Sequence, residues 1–297
     1  MFKILRTRLG QGHRTTKFPL EIPTLPERYR GRPDLDPKRC LDGCKACAEA
    51  CPTQAVSVDG GLKLDLGQCL FCTACIDSCP EGAIRYSQDY RLATSQRSAL
   101  VLTGGELKLA ERMTDDLYRI LRRSLRLREV CAGSCNACDL DTNVLNTVGW
   151  DLSRFGIQFV ASPRHADGLL VTGAIPRNMY RALLQTYEAV PKPRIVIALG
   201  ACAISGGPYL GSPEVLNGVG GVLPVDLYVP GCPPHPLTIL DGLLRLIGRI
   251  RGEPPEARPS HLMDNRTHDQ GTKAVDTAAV ERRDRGVESH STDESTQ

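Results

Sequence analysis

Residues 129–139 read Glu129-Val-Cys131-Ala-Gly-Ser-Cys135-Asn-Ala-Cys138-Asp139. Cys135 and Cys138 stand two residues apart and follow the alternating apolar positions Leu125, Leu127 and Val130, which predict a strand running into a loop. Two later apolar runs, residues 195–199 and 225–229, also predict buried strands. Each ends in a glycine with a cysteine within two residues, Gly200 with Cys202 and Gly231 with Cys232. Open parallel sheets gather functional groups in the crevice beyond the carboxyl ends of their strands, so three such loops can meet at one point. Four thiolates there predict an iron–sulfur cluster held by Cys135, Cys138, Cys202 and Cys232.

Outward from this stretch, strand, loop and helix alternate through residues 125–250. Apolar runs at 157–160 and 168–172 predict strands, Val144, Leu145 and Val148 mark a helix, and residues 179–190 and 237–250 keep helical spacing. The pattern predicts an α/β, flavodoxin-like domain with a parallel sheet and right-handed crossovers. The Thr172-Gly173-Ala174 strand end should lie on the cysteine rim, and Arg164 and His165 are placed there too, as loop-fixing or partner-facing groups. Asp139 reads as a helix cap or a proton-path acid, and Cys131, left over from the cysteine sets, as a buried structural thiol.

Upstream the sequence repeats itself. Cys69-x-x-Cys72-x-x-Cys75-x-x-x-Cys79-Pro80 has the spacing of a bacterial ferredoxin, and Cys40, Cys44, Cys47 and Cys51-Pro52 form an earlier copy whose first spacer is one residue longer. The cysteine before proline serves the neighbouring cluster. Cys40, Cys44, Cys47 and Cys79 are therefore assigned to one [4Fe–4S] cluster, and Cys69, Cys72, Cys75 and Cys51 to a second. With the loop set, this makes three clusters. Each copy is followed by an alternating, strand-like tail, residues 55–58 and 83–86, and Asp59-Gly60-Gly61 supplies a hairpin turn. Structural zinc normally draws paired ligands from separate knuckles, not from this duplicated grip.

The rest divides around these parts. Residues 1–39 form a basic, proline-bearing docking arm, with Phe2, Leu5 and Leu9 on one side of a short helix. The ferredoxin-like α+β domain spans 40–94. A polar linker and a helix opening at Thr114 occupy 95–124, and the α/β domain occupies 125–250. Residues 251–297, rich in charge, Ser, Thr and Pro, predict a disordered tail. Thirteen cysteines in 297 residues, no apolar run of membrane-spanning length and no signal-like N-terminus point to a reducing cytoplasm. A net charge of +3 with 5% aromatic residues excludes a nucleic-acid partner. No Rossmann or P-loop fingerprint follows any strand, and only Cys131 is spare, so the chain conducts electrons without building a nickel–iron centre.

A family pattern is visible in these residues. Residues 1–94, with Arg30-Gly31-Arg32-Pro33 and Leu66-Gly67-Gln68-Cys69-Leu70-Phe71-Cys72, resemble the ferredoxin-like subunit of formate hydrogenlyase. Ser134-Cys135-Asn136-Ala137-Cys138, Arg154-Phe155-Gly156-Ile157, the 162–167 segment, Gly200-Ala201-Cys202 and Pro230-Gly231-Cys232-Pro233-Pro234 are similar to its small subunit. The resemblance implies a fusion of two subunits of a membrane-associated, energy-converting [NiFe] hydrogenase, a family related to the 20 kDa subunit of respiratory complex I. It implies a [NiFe] large subunit, membrane-arm subunits and a formate dehydrogenase module or reduced carrier as partners, on the inner face of the membrane. It also implies electron flow through the ferredoxin clusters and the third cluster to nickel and iron, where protons are reduced. A complex I-like quinone-reducing module is the alternative, together with a free-standing ferredoxin-type carrier or redox sensor. The corresponding complex I protein carries two adjacent cysteines where this chain has Cys135-Asn-Ala-Cys138, and that spacing favours the hydrogenase.

Overall fold

In the computed structural model, which describes residues 2–121 and 124–250, the chain opens with helix α1 (Phe2–Gln11), none of whose residues is buried. A strap that turns at residues 18–20 and 27–28 then leads to strand β1 (Pro33–Leu35). The duplicated segment gives helix α2 (Ala46–Glu49), the hairpin β2 (Val56–Ser57) and β3 (Lys63–Asp65), helix α3 (Ala74–Asp77) and strand β4 (Ile84–Tyr86). β2 pairs with β3 across the Asp59-Gly60-Gly61 turn, with both glycines at positive φ.

Two strands outside residues 40–94 complete the ferredoxin-like part. β1 pairs antiparallel with β4, and β5 (Val101–Leu102) pairs with β3. The arm and the linker therefore each contribute a strand. Helix α4 (Asp115–Leu121) follows. Arg122 and Arg123 behind it lie outside the described residues, as does the tail at 251–297.

The α/β part contains β6 (Leu125–Cys131), α5 (Ala137–Val144), β7 (Ile157–Phe159), β8 (Gly168–Thr172), α6 (Arg177–Ala189), β9 (Ile195–Leu199), α7 (Gly200–Ser205), β10 (Leu227–Val229) and α8 (Pro236–Leu246). Its five strands are all parallel, in the order β10-β9-β8-β6-β7. Counting from β6 this is the 2-1-3-4-5 arrangement, whose switch point falls between β6 and β8.

Period-two alternation sorts the side chains to the two faces. Leu170 of β8 and Ile195, Ile197 and Leu199 of β9 pack with Ile239, Leu240, Leu243 and Leu244 of α8, all buried. Each of those α8 side chains contributes roughly 1.5–3 kcal/mol by leaving water. Leu169, Val171, Val196 and Ala198 face the other way, into a buried cluster that also contains Leu183 of α6 and Leu64, Leu66 and Leu100 of the ferredoxin-like part. The two cysteine-bearing parts thus share one core. Thr94 and Tyr228 exchange backbone hydrogen bonds across the seam at 3.0 and 2.8 Å, and the Ser205 hydroxyl donates to the Gly67 carbonyl at 2.9 Å.

His235 caps α8: its Nδ1 accepts from the Leu237 N–H at 3.1 Å, with the Tyr29 and Trp150 rings edge-on to it. Burial lowers its pKa below the usual histidine value, so it acts as a neutral acceptor. The unfolded chain binds the proton more readily. The cap's contribution is therefore complete above the ordinary histidine value of about 6.5 and lost as pH falls below it through the lower folded value. His235→Asn keeps an acceptor without a titratable proton. Its melting temperature is expected to fall less than the wild type's between pH 7 and 5.5, and equal slopes would contradict the capping role.

Candidate iron–sulfur sites

The third cysteine set is assembled by three strand ends. Cys135 lies in the loop after β6 and Cys138 on the first turn of α5, while Cys202 rides on α7 and Cys232 follows β10. Residues 200–205, the cysteine loop expected after the strand, form a short helix, and the Ala201 N–H donates to the Gly231 carbonyl at 2.9 Å, tying two of the loops together. Burial raises the Cys138 thiol well above its usual range, and the neighbouring Cys202, Cys232 and Cys135 raise it further. Cys202 is pushed up to about 11 by burial and then by Cys232 and Cys135. Cys138, Cys202 and Cys232 thus ionise with difficulty beside their neighbouring thiols, the condition a metal centre relieves by binding them as thiolates.

Small residues make this gathering possible. Gly200 has φ +86°, and a Cβ there would meet the Cys138 sulfur at 2.7 Å. At Gly207, with φ +54°, a Cβ would come within 2.9 Å of the Cys202 sulfur.

The β6 loop is pinned from below. Asp139 accepts from Thr172 Oγ1 at 2.8 Å, at the end of β8, and from the Ser134 hydroxyl, which itself accepts from the Asn136 N–H at 3.0 Å. Asp139 therefore fixes the loop to the neighbouring strand, whereas the N-cap position of α5 is Asn136. Glu129, which the sequence did not single out, lies beside it. Burial, then the charge of Asp139 and a hydrogen bond to it, push the Glu129 carboxyl up to about 7. Glu129 falls in step with Leu125 and Leu127, where the alternation expects an apolar residue, and that was the available signal.

Two sequence expectations are corrected here. Cys131 is exposed, not buried, with its sulfur 3.1 Å from Ser134 Oγ. Arg164 and His165, also exposed, sit on a turn that enters the amino end of β8, where Gly168 pairs with Leu127. The cysteine loops leave the opposite, carboxyl ends of the strands, so the two residues do not lie on that rim.

In the ferredoxin-like part, Cys40, Cys44, Cys47 and Cys79 line one small cavity together with Leu62 and Pro80. Burial raises the Cys47 thiol, followed by Cys79 and Cys40. Cys75 is pushed up to about 12 by burial and then by Cys69, Cys51 and Cys72. Cys69 is pushed up to about 11, burial prevailing over the Phe71 N–H and the Tyr86 hydroxyl. The duplication extends to hydrogen bonds: the Ala55 N–H donates to Cys51 Sγ at 3.1 Å, and the Ala83 N–H to Cys79 Sγ at 3.3 Å, each four residues on. The matched tails thus also deliver amides to sulfur. Cys72 is among the causes that raise Cys232, after burial and Cys135, so the second set faces the third.

Clustered thiols with amide donors fit iron–sulfur chemistry, in which N–H···S contacts and solvent exposure tune the centre. A lone zinc requires its sulfurs at about 2.3 Å from one point. Among the described residues no three His, Cys, Asp or Glu side chains converge in that way.

Comparison with known proteins agrees with this layout. Residues 135–246 match the family described as NADH ubiquinone oxidoreductase, 20 Kd subunit, and residues 39–83 match the 4Fe-4S dicluster domain. The protein named "Probable membrane-bound hydrogenase subunit mbhJ", from Pyrococcus furiosus, is 41% identical over 156 residues, which are 51% of this chain and 93% of the relative. The chain belongs to the NADH ubiquinone oxidoreductase 20 Kd subunit family. Its relatives include an NADH-quinone oxidoreductase subunit of Bacteroides thetaiotaomicron, 42% identical over 47% of this chain and 70% of the relative. Formate hydrogenlyase subunit 7 of Escherichia coli is 37% identical over 50% of this chain and 59% of its own length. In this chain the 20 Kd family module follows a dicluster ferredoxin module, and together they make an iron–sulfur electron-transfer subunit that is not catalytic alone. No helix among the described residues is long and apolar enough to cross a membrane.

Proposed function

We propose that the chain carries electrons through three [4Fe–4S] clusters to the nickel–iron large subunit of a membrane-associated hydrogenase of the formate hydrogenlyase type. The observation that carries this reading is the two-residue gap between Cys135 and Cys138, with Cys202 and Cys232 gathered beside it. Relatives of similar identity include both hydrogenase and NADH-quinone oxidoreductase subunits, and the spacing supports the hydrogenase reading. In this reading Cys40, Cys44, Cys47 and Cys79 hold the first cluster, Cys51, Cys69, Cys72 and Cys75 the second, and the strand-end set the third. Bound clusters supply one-electron storage.

The protein's own residues position, insulate and tune them. Cys47, Cys69, Cys75 and Cys138 are buried, while Cys72, Cys135 and Cys232 are exposed and give the sets their outward edges. The approach of Cys72 to Cys232 supports a handover from the second set to the third. Beside Cys138, Leu140 and Val144 of α5 and Val148 beyond it are exposed apolar residues, which supports a partner subunit covering that face. The arm, with Phe2, Ile4, Leu5 and Leu9 exposed among Lys3, Arg6 and Arg8, supports peripheral docking at the membrane arm. A formate dehydrogenase module or a reduced carrier is the proposed donor.

Iron analysis tests the cluster count. Anaerobically reconstituted protein should hold about twelve irons per chain with matching sulfide. A value near eight or four removes one or two of the sets.

A further inference from the structure

The duplicated ferredoxin segment is symmetric in its ligands but not in its hydrogen bonds. Four residues after each Cys-Pro cysteine an amide donates to sulfur, and amides of the first helical turn approach Cys47 in one copy and Cys75 in the other. These contributions match except that Cys47 has one amide more, that of Ala48. Two further donors serve the second set alone. The Phe71 N–H donates to Cys69 Sγ at 3.3 Å, and the Tyr86 hydroxyl lies 3.6 Å from the same sulfur.

The repeat explains both differences. Tyr86 lies seven residues after Cys79, and the position seven residues after Cys51 is Val58, which has no hydroxyl. Phe71 lies two residues after Cys69; its counterpart is Asp42, in the spacer that is one residue longer, and no Asp42 N–H bond to Cys40 Sγ exists among the described residues. Thr53, beside a ligand of the second set, adds no further donor to it, because its hydroxyl, 3.8 Å from Cys51 Sγ, gives its proton to the Gln68 carbonyl at 2.8 Å.

Tyr86 is also held in place. Its ring stacks on Phe71 at 5.7 Å and 27°, and its backbone is registered opposite Pro33 in the β1–β4 pair. A ligating thiolate has no proton to give, so in any filled state Tyr86 is the donor and Cys69 the acceptor. Hydrogen bonds to ligand sulfur stabilise the more negative, reduced form and so raise the reduction potential.

We propose that the Tyr86 hydroxyl, together with the Phe71 N–H, makes the cluster held by Cys51, Cys69, Cys72 and Cys75 the higher in potential of the two in the duplicated segment. One electron reaching the Cys40 set then moves downhill to the set that faces Cys232, and Tyr86 keeps its proton throughout. Tyr86 is a positioning and tuning residue rather than a ligand. The inference rests on the three-cluster reading above.

The test is an anaerobic redox titration of the reconstituted full chain followed by EPR, with Cys40→Ser and Cys69→Ser used to assign the signals. In the wild type, the signal lost in Cys69→Ser should titrate at the higher potential of the two. Tyr86→Phe keeps the stacked ring and removes only the donor. It should retain about twelve irons and move that one midpoint to lower potential, leaving the other two in place. An unmoved midpoint with iron retained would overturn the inference, as would a shift confined to the Cys40 signal. Should the variant lose iron, the wild-type order decides alone, and a higher potential for the Cys40 set would contradict it. A wild type well short of twelve irons would instead sink the three-cluster reading.

Discussion

Replacing Cys138 by alanine is expected to lower the iron content from about twelve to about eight and to stop electron delivery, reducing hydrogen evolution by the complex to background. Cys138 is the buried member of the strand-end set, and each of the other three thiols bears on its ionisation. Removing it leaves Cys135 and Cys232 exposed and Cys202 on a separate helix, without the ligand that joins them. The ferredoxin ligands belong to other loops, so their EPR signals should persist, as should the far-UV circular dichroism. Full activity in this variant would place the exit from the wire elsewhere.

A second large effect is expected at a residue that is no ligand. Gly200→Ala puts a methyl group where the Cys138 sulfur lies 2.7 Å away and forces an L-residue to φ +86°. The backbone alone costs roughly 1–2 kcal/mol, out of a typical total of about 5–15 kcal/mol. The clash must also be relieved, either by moving α7 with Cys202 or by displacing Cys138. Either shift breaks the third set, so this variant should also hold about eight irons and melt at a lower temperature. Gly10→Ala is the control, because nothing lies within 4 Å of a Cβ on that exposed helix. It should leave iron and activity unchanged. An intact third signal in Gly200→Ala would contradict the close approach.

Much of the fold was legible because the central strands are buried on both faces. β8 and β9 are continuous apolar runs, and their bounds, Gly168–Thr172 and Ile195–Leu199, coincide with the runs read from the sequence. β1 and β5 were not legible, since strands of three and two residues carry no period and owe their existence to their partners β4 and β3. The glycine–cysteine loop read after β9 winds instead into α7, which the Ser205 hydroxyl ties to the Gly67 carbonyl. Arg164 and His165 were misplaced because a crossover segment does not itself reveal which end of the sheet it passes.

Cysteine spacing is local and survives without tertiary information. The groups that tune the thiols are not local in this sense: Tyr86 reaches Cys69 across seventeen positions, and Thr172 reaches Asp139 across thirty-three. Glu129 owes its raised carboxyl first to burial and then to Asp139, which the β6 loop folds back beside it. The cysteine sets are visible as spacing, whereas the side-chain hydrogen bonds that reach across the chain required the fold.

The central claim is that the third cluster feeds a nickel–iron site, and the native complex tests it most directly. Isolated anaerobically in mild detergent, that complex should contain nickel and evolve hydrogen from a low-potential donor. A complex that contained no nickel yet reduced quinone would contradict the hydrogenase assignment.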